Sequence, residues 1–299
     1  CARPMAGVWI VSSQRWASES PVAVVERSRA TPAPLAVDAL TLADAARRVC
    51  TLAEAGERAQ VVTLNPELVI RARRDAGLAE VIRAARLVTA DGAGVVWALR
   101  LAGQSVPARV TGVDLAVALA REVAARGLPI YLLGAPDGVA LAASDALARI
   151  APGLRIAGCW AGSPRPGADA EAVARIAASG ARLALVAYGA PAQEFWIARN
   201  LAAAPPLVAI GVGGAFDMLA GRIPRAPDWM RAVGLEWLHR LLREPRRWRR
   251  MLALPHFALL AVAAALRIRV TRSPAAGILI RRDSPQDDII THHPEIEDA

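Results

Sequence analysis

Short apolar runs alternate with longer amphipathic stretches along most of the chain, starting near Pro34. The runs are rich in Val, Ile and Leu, as expected for strands that are buried on both faces of a sheet. They predict strands at residues 59–64, 86–89, 129–133, 154–158, 182–187 and 207–212. The amphipathic stretches predict helices at residues 40–56, 66–74, 92–102, 113–126, 137–150, 168–179, 192–203 and 214–220. This alternation predicts a Rossmann-like α/β fold with a doubly wound, mostly parallel sheet.

The pattern changes after about residue 226, where the strand-like runs stop. Two helical segments are predicted, at about 228–243 and 245–268, separated where Pro245 interrupts the periodicity. The chain therefore divides into four predicted parts. These are a loosely ordered leader at 1–33, an α/β domain at 34–226, a helical C-terminal appendage at 227–268 and a disordered tail at 269–299.

The apolar content of the chain does not predict a transmembrane helix, because no run of about twenty apolar residues occurs. The nearest approach is residues 251–266, about sixteen residues that include Pro255 and His256. The N-terminal residues have no apolar stretch of signal-peptide length, so a cytoplasmic site of action is expected.

Positive charge is concentrated near the C-terminal end. The chain carries a formal net charge of +9, and nine of its arginines lie between Arg222 and Arg250, against three carboxylates there. A local excess of guanidinium groups predicts a surface that binds phosphate, because these groups bind phosphate oxygens in pairs. An arginine-rich composition along the whole chain can reflect a GC-rich genome instead, so the functional interpretation is confined to this cluster.

Three predicted strand ends carry glycine beside polar residues, at 132–138 (LLGAPDG), 188–194 (YGAPAQE) and 211–217 (GVGGAFD). Glycine lets a phosphate approach the backbone, and a following helix offers free N–H groups at its start. None of the three matches the dinucleotide fingerprint or the P-loop. The α/β part also has no Asp-x-Asp pair, and H-E-x-x-H and G-x-S-x-G are absent from the chain. No metal site or serine-hydrolase site is therefore predicted.

Several polar side chains near strand ends are candidates for ligand contacts, and each has an ordinary structural alternative. Thr63 and Asn65 could hydrogen-bond a sugar, although Asn65 before a proline is also a typical helix N-cap. Asp91 could cap the next helix or act as a general base. Arg109, taken alone, indicates a surface ion pair.

Six segments of the chain, in order, resemble the WecG/TagA/CpsF family of bacterial glycosyltransferases. They are TLNPE (63–67), TADGAGVV (89–96), RVTGVDL (109–115), YLLGAPDG (131–138), GAPAQEFW (189–196) and a block at 210–247 that contains IGVGGAFDMLAGRIPRAP and GLEWLHRLLREPRR. The resemblance covers about residues 34–255. The leader and the last thirty or so residues lie outside it.

The resemblance implies an inverting transfer of a sugar from a UDP-sugar donor to a polyprenyl-diphosphate-linked sugar acceptor, in the biosynthesis of a cell-surface polysaccharide. The sugar would be of the N-acetylmannosamine type or a related hexose. The implied location is peripheral, on the cytoplasmic face of the inner membrane, with no cofactor, metal or nucleic acid and with a homo-oligomer left open. Two alternatives remain: an exopolysaccharide glucosyl or glucuronosyl transferase of the same family, and a non-catalytic nucleotide-sugar-binding assembly subunit.

The resemblance also implies roles for individual residues. Asp91 matches the proposed general base, and Arg109 would neutralise a diphosphate. Thr63 and Asn65 would lie near that pocket, with Gln193 beside the donor sugar. Four positions match the nucleotide side of the site: Gly189, Gly213, Gly214 and Asp217. Three match basic residues that close over the diphosphates: Arg240, Arg247 and Arg250.

Two further features of the sequence bear on the substrates and the location. Ala192 stands where the family usually has a lysine, which removes one cation near the donor. Trp229, Trp237 and Trp248 are interleaved with arginines, which is typical of a helix lying in the headgroup layer of a membrane. The alternative is that these tryptophans pack on the α/β domain or on a second subunit.

Overall fold

The computed structural model describes residues 34–271 and 278–281. The predicted leader at 1–33 and most of the predicted tail lie outside these residues. Eight strands are present in the part described: β1 (Leu35–Val37), β2 (Ala59–Leu64), β3 (Leu87–Ala90), β4 (Pro129–Gly134), β5 (Arg155–Trp160), β6 (Leu183–Ala187), β7 (Val208–Gly211) and β8 (Ile278–Ile280).

Most of the remaining described residues are helical. The α-helices are α1 (Leu42–Glu54), α2 (Pro66–Ala72), α3 (Ala76–Ala84), α4 (Ala93–Leu101), α5 (Gly112–Arg126), α6 (Val139–Ile150), α7 (Asp169–Ser179), α8 (Ala192–Asn200), α9 (Ala215–Leu219), α10 (Asp228–Ala232), α11 (Glu236–Arg243), α12 (Trp248–Met251) and α13 (Ala253–Thr271). Short 3-10 turns occupy Pro166–Ala168 and Pro245–Arg247.

Strands β2 to β7 form one sheet in the order β3-β2-β7-β6-β4-β5, and every neighbouring pair is parallel. These are the six predicted strands, each within two residues of its predicted bounds. Their side chains point into apolar layers on both faces, which explains why continuous apolar runs identified them. The predicted Rossmann-like α/β fold is confirmed.

Helices cover both faces of the sheet. Helices α1, α5, α6 and α9 pack on one face, whereas α2, α3, α4, α7, α8 and α13 pack on the other. Adjacent strands β2 and β7 send the chain to opposite faces, β2 into α2 and β7 into α9. Such a switch point opens a crevice at the carboxyl ends of the strands, where α/β proteins bind ligands.

Two helical predictions are corrected by the structure. Helix α3 was not predicted, although Asp75 caps it and Leu78 and Ile82 are buried beneath it. The predicted helix at 228–243 is in fact two helices, because Gly234 adopts a left-handed φ of 79° between them. A Cβ at Gly234 would lie 2.6 Å from the Cβ of Ala93, so this glycine also lets the appendage approach the start of α4.

Two elements lie within or extend into residues 269–299, the predicted tail. Helix α13 continues to Thr271, and β8 pairs in parallel with β1. The pairing is extended beyond β8, where the backbone N–H of Arg281 donates to the carbonyl oxygen of Val37 at 2.9 Å. The guanidinium of Arg281 lies 3.6 Å from the carboxylate of Asp38. Strand β8 and Arg281 therefore lie beside β1 of the α/β domain.

The apolar helical stretch at the end of the appendage is longer than the sequence pattern predicts. Among the described residues, Pro245–Leu266 is long and apolar enough to cross a membrane by length and composition alone, with a mean hydropathy of 1.4. The sequence pattern predicts only a shorter apolar run, at residues 251–266. Phe257 packs into the same apolar cluster as α2 and α4, so part of this stretch lies along the α/β domain.

Candidate active site

A crevice of about 260 Å³ opens at the carboxyl ends of β2, β3, β6 and β7, and residues of the appendage form its outer wall. Eleven of the twelve predicted site residues line it: Thr63, Asn65, Asp91, Arg109, Gly189, Gln193, Gly213, Gly214, Arg240, Arg247 and Arg250. Asp217 is the exception, because it lies in the first turn of α9 and is outside the lining set. The structure therefore brings the predicted residues of the α/β domain and the appendage together, and their individual roles remain predictions.

Asp91 follows β3 directly, and its backbone N–H donates to the carbonyl oxygen of Leu64 at 2.8 Å. The N-cap of α4 is Gly92, and no side chain caps that helix, so the capping alternative for Asp91 is not realised. Its carboxyl group faces the crevice instead. The pKa of Asp91 is raised to about 7, first by loss of water and then by the negative charge of Glu236, while Arg109 opposes the shift. A carboxylate with this pKa is suited to proton transfer near neutral pH.

Thr63 and Asn65 make structural contacts as well as lining the crevice. The hydroxyl of Thr63 donates to the carbonyl oxygen of Gly211 at 2.9 Å, which ties the end of β2 to β7. The Oδ1 of Asn65 accepts from the backbone N–H of Leu68 at 3.0 Å, so Asn65 is the N-cap of α2. The cap alternative is thus correct for Asn65, and its amide nitrogen is the group left to face a ligand.

Gln193 ties together two of the glycine turns that were predicted to face a ligand. Its Oε1 accepts from the backbone N–H of Gly213 at 2.9 Å and of Gly189 at 3.2 Å. Its Nε2 donates to the Oε1 of Glu194 at 2.9 Å. Glu194 is only 1% exposed, and burial raises its pKa to about 7. The buried side chain of Gln193 therefore links the turns after β6 and β7 through two hydrogen bonds.

Three arginines of the appendage converge on the crevice from its outer wall. Arg240 and Arg247 share the carboxylate of Glu244, at 3.1 Å and 2.7 Å. Arg250 crosses to α2 and pairs with Glu67 at 2.8 Å. The pKa of Arg247 is lowered by burial first and then by the positive charge of Arg240, with Arg250 adding to the effect. The positive charge of three arginines on one wall of the crevice favours binding of an anion.

Arg240 also reaches the glycine-rich turn at the start of α9. A Cβ at position 214 would collide with its guanidinium group, so the arginine lies directly on this turn. The guanidinium therefore brings a cation and hydrogen-bond donors, which are groups that bind phosphate, to this turn.

Arg109 belongs to a loop held beside β3 by a backbone bond from Val110 to Ala90, at 2.9 Å. Its Nη1 lies 3.4 Å from the Oε2 of Glu236 on α11. The predicted surface ion pair of Arg109 is therefore a largely buried contact between the α/β domain and the appendage.

Four charged residues that support the site were not singled out by the sequence: Glu67, Arg225, Glu236 and Glu244. The spacing of Arg240 and Glu244 by four residues on one helix was a signal for the last of these. The other three make pairs with residues far away in sequence: Glu67 with Arg250, Arg225 with Asp114 and Glu236 with Arg109. No local pattern could identify these three contacts, although Glu67 also has Arg71 four residues further along the chain. Among the described residues, no group of three or more His, Cys, Asp or Glu side chains is arranged to hold a metal ion.

The fold and this crevice define the class of the protein: a Rossmann-like α/β protein with an acid and a cluster of arginines at its switch point. The chain belongs to the glycosyl transferase WecG/TagA/CpsF family, whose sequence profile matches residues 31–271. The match includes both the α/β domain and helices α10 to α13 of the appendage.

Two curated proteins illustrate the similarity. An N-acetylglucosaminyldiphosphoundecaprenol N-acetyl-beta-D-mannosaminyltransferase of Bacillus spizizenii is 34% identical over 207 residues, which is 69% of this chain and 80% of that protein. The protein of the same name from Bacillus subtilis is 34% identical over 202 residues, covering 67% of this chain and 78% of the relative.

Proposed function

We propose that the protein is an inverting glycosyltransferase that moves a sugar from a UDP-sugar to a sugar linked to polyprenyl diphosphate. The observation that carries the proposal is the meeting of Asp91 with Arg240, Arg247 and Arg250 in one crevice. Family membership and the printed names of the two Bacillus relatives support an acceptor of this kind and an N-acetylmannosamine-type donor.

The proposed reaction is a single displacement. Asp91 takes the proton of an acceptor hydroxyl while that oxygen forms a bond to the anomeric carbon of the donor sugar. The bond between the anomeric carbon and the diphosphate oxygen breaks, and UDP leaves with the electron pair. Inversion follows because attack and departure occur on opposite sides of the same carbon.

The charge that develops on departing UDP requires stabilisation, and the appendage offers it. Arg240, Arg247 and Arg250 line the crevice, and the guanidinium of Arg240 lies on the glycine-rich turn at the start of α9. Preorganised donors of this kind stabilise charge as it forms. We propose that these arginines allow transfer without a metal ion.

The proposed location is peripheral on the cytoplasmic face of the inner membrane. Trp229, Trp248, Leu252 and Leu259 are exposed on the appendage. An apolar surface beside arginines is suited to the headgroup layer, where the lipid-linked acceptor would be found.

A donor panel tests the proposed function. The protein is incubated with a lipid-diphosphate-linked sugar and UDP-N-acetylmannosamine, UDP-glucose or UDP-glucuronate, with and without a metal chelator. We expect chelator-resistant transfer from one donor, with an inverted configuration in the product. Saturable UDP binding without product from any donor would favour the assembly subunit, and transfer of glucose or glucuronate would favour the exopolysaccharide alternative.

A further inference from the structure

Glu236 is an appendage carboxylate held between two arginines of the α/β domain. It begins α11, and its carboxylate oxygens lie 3.4 Å from the Nη1 of Arg109 and 3.6 Å from the Nε of Arg225. Arg225 in turn pairs with Asp114 at 2.6 Å. Glu236 lines the same crevice as Asp91, so the contact brings an appendage charge to the candidate base.

Four charged groups face Asp91, and the appendage supplies half of them. Glu236 and Asp114 raise the pKa of Asp91, whereas Arg109 and Arg240 lower it. Glu236 has the largest effect of these four, after the loss of water. Glu236 also partly neutralises Arg109, which lowers the pKa of Asp91 more than Arg240 does. Removing the appendage from the crevice would therefore withdraw Glu236, the charge that raises the pKa of Asp91 most.

Two further contacts hold the appendage against the α/β domain near Glu236. Arg250 pairs with Glu67 at 2.8 Å. Gly234 lies against Ala93, where an added Cβ would come within 2.6 Å of the Ala93 Cβ. These contacts define the seated position of the appendage, in which Glu236 reaches Arg109.

We propose that Glu236 is a positioning residue that pairs with Arg109 and completes the charge environment of Asp91 only when the appendage is seated over the crevice. The proposal rests on the proposed function, in which Asp91 is the base. Seating would thus coincide with activation of the base, so proton removal would be fastest when the substrates are enclosed. Glu236 itself need not touch either substrate.

The pH dependence of transfer tests this role. In the wild type, kcat should fall as the pH drops through about 7, because Asp91 becomes protonated. Glu236→Gln removes a like charge and releases Arg109, so both changes favour the ionised form of Asp91. We expect the acidic limb to move to lower pH by about one unit, with a lower plateau because the base is weaker. A structural role alone would lower the rate without moving the limb.

Asp228→Asn is the matched control, because Asp228 lies on the same appendage, is 92% exposed at its side chain and pairs with Arg231. It should leave the limb in place. Glu236→Asp keeps the negative charge on a side chain that is one methylene shorter. It should move the acidic limb in the same direction, by less than Glu236→Gln. A limb at the wild-type position in whichever Glu236 variant folds overturns the proposal.

The two proposals can fail separately. If Asp91→Asn is inactive and the limb of the Glu236 variants does not move, only the role of Glu236 is wrong. If Asp91→Asn is as active as the wild type, Asp91 is not the base and both proposals are overturned.

Discussion

Asp91 and Glu194 are both carboxyl groups whose pKa is raised to about 7, and burial is the first cause in each. Their surroundings differ, however. Asp91 faces a crevice bounded by arginines, so a substrate can take or give its proton. Glu194 accepts a hydrogen bond from Gln193 beneath the sheet and is almost entirely enclosed. The raised pKa thus supports the proposed role of Asp91 as a base, whereas at Glu194 it accompanies a buried hydrogen bond with Gln193.

The raised pKa of Glu194 should make the stability of the protein depend on pH. Its folded pKa of about 7 lies above the ordinary value of 4.5, so the folded state holds a proton that the unfolded state releases between these pH values. Stability is then lost as the pH rises from about 4.5 through 7. Glu194→Gln keeps an acceptor for Gln193 without this cost. Thermal unfolding should show a stabilisation of the variant at pH 8 of up to about 3 kcal/mol that is much smaller at pH 5.

Glu171→Gln, on the exposed surface of α7, is the control and should alter the unfolding temperature equally at both pH values. The same result for Glu194→Gln would contradict the buried, protonated state of Glu194.

At the level of elements, the turn from β7 to α9 packs against Arg240 of helix α11 because Gly214 has no side chain. Gly214 has a φ of −81°, which alanine adopts freely, so its importance lies in space rather than in backbone freedom. The guanidinium of Arg240 occupies the volume that a Cβ would need. The contact makes the position of Arg240 depend on this one turn.

Gly214→Ala should therefore displace Arg240 without straining the backbone. We expect the KM for the donor to rise by about tenfold, which corresponds to the loss of one charge-assisted contact of about 1.4 kcal/mol. Steady-state kinetics with varied donor measure this. Gly167→Ala is the matched control, since a Cβ there meets no atom within 4 Å. Equal kinetics for the two variants would mean that Arg240 does not contact the donor.

The sequence predicted the strands and the ends of strands well, for a physical reason. Buried parallel strands are continuous apolar runs, so the pattern of apolar residues located them. The family resemblance implied that Thr63, Asp91 and Gly213 belong to one site. Contacts between distant parts of the chain were not predictable. Glu67 and Arg250 are 183 residues apart, and nothing local in either sequence identifies the other. Helix α3 and strand β8 depend on similar tertiary contacts.

At the scale of the whole molecule, the appendage carries exposed apolar residues and also forms part of the crevice wall. Trp248 and Leu252 are exposed on α12 and just after it, while Arg247 and Arg250 in the same stretch line the crevice. One short segment thus has a face toward the crevice and an exposed face. A membrane on the outer face would bring a lipid-linked acceptor to the crevice.

Vesicle binding tests this arrangement. Leu252→Glu should lower cosedimentation with vesicles of phosphatidylglycerol and phosphatidylethanolamine by about tenfold or more, since burying a leucine contributes about 1.5–3 kcal/mol. Leu141→Glu is the control, because Leu141 on α6 is 55% exposed and Leu252 is 58% exposed. Equal binding of the two variants would show that the appendage is not the membrane contact.

The single-turnover rate of sugar transfer by Asp91→Asn is the decisive measurement, with UDP binding followed in the same preparation. Asparagine keeps the size of the side chain and removes its ability to accept a proton. We expect a rate reduced by about 10²–10⁴-fold with UDP binding largely intact. Asp145→Asn, an exposed carboxylate on α6, should transfer at the wild-type rate. Transfer by Asp91→Asn at that same rate would contradict the assignment of the base.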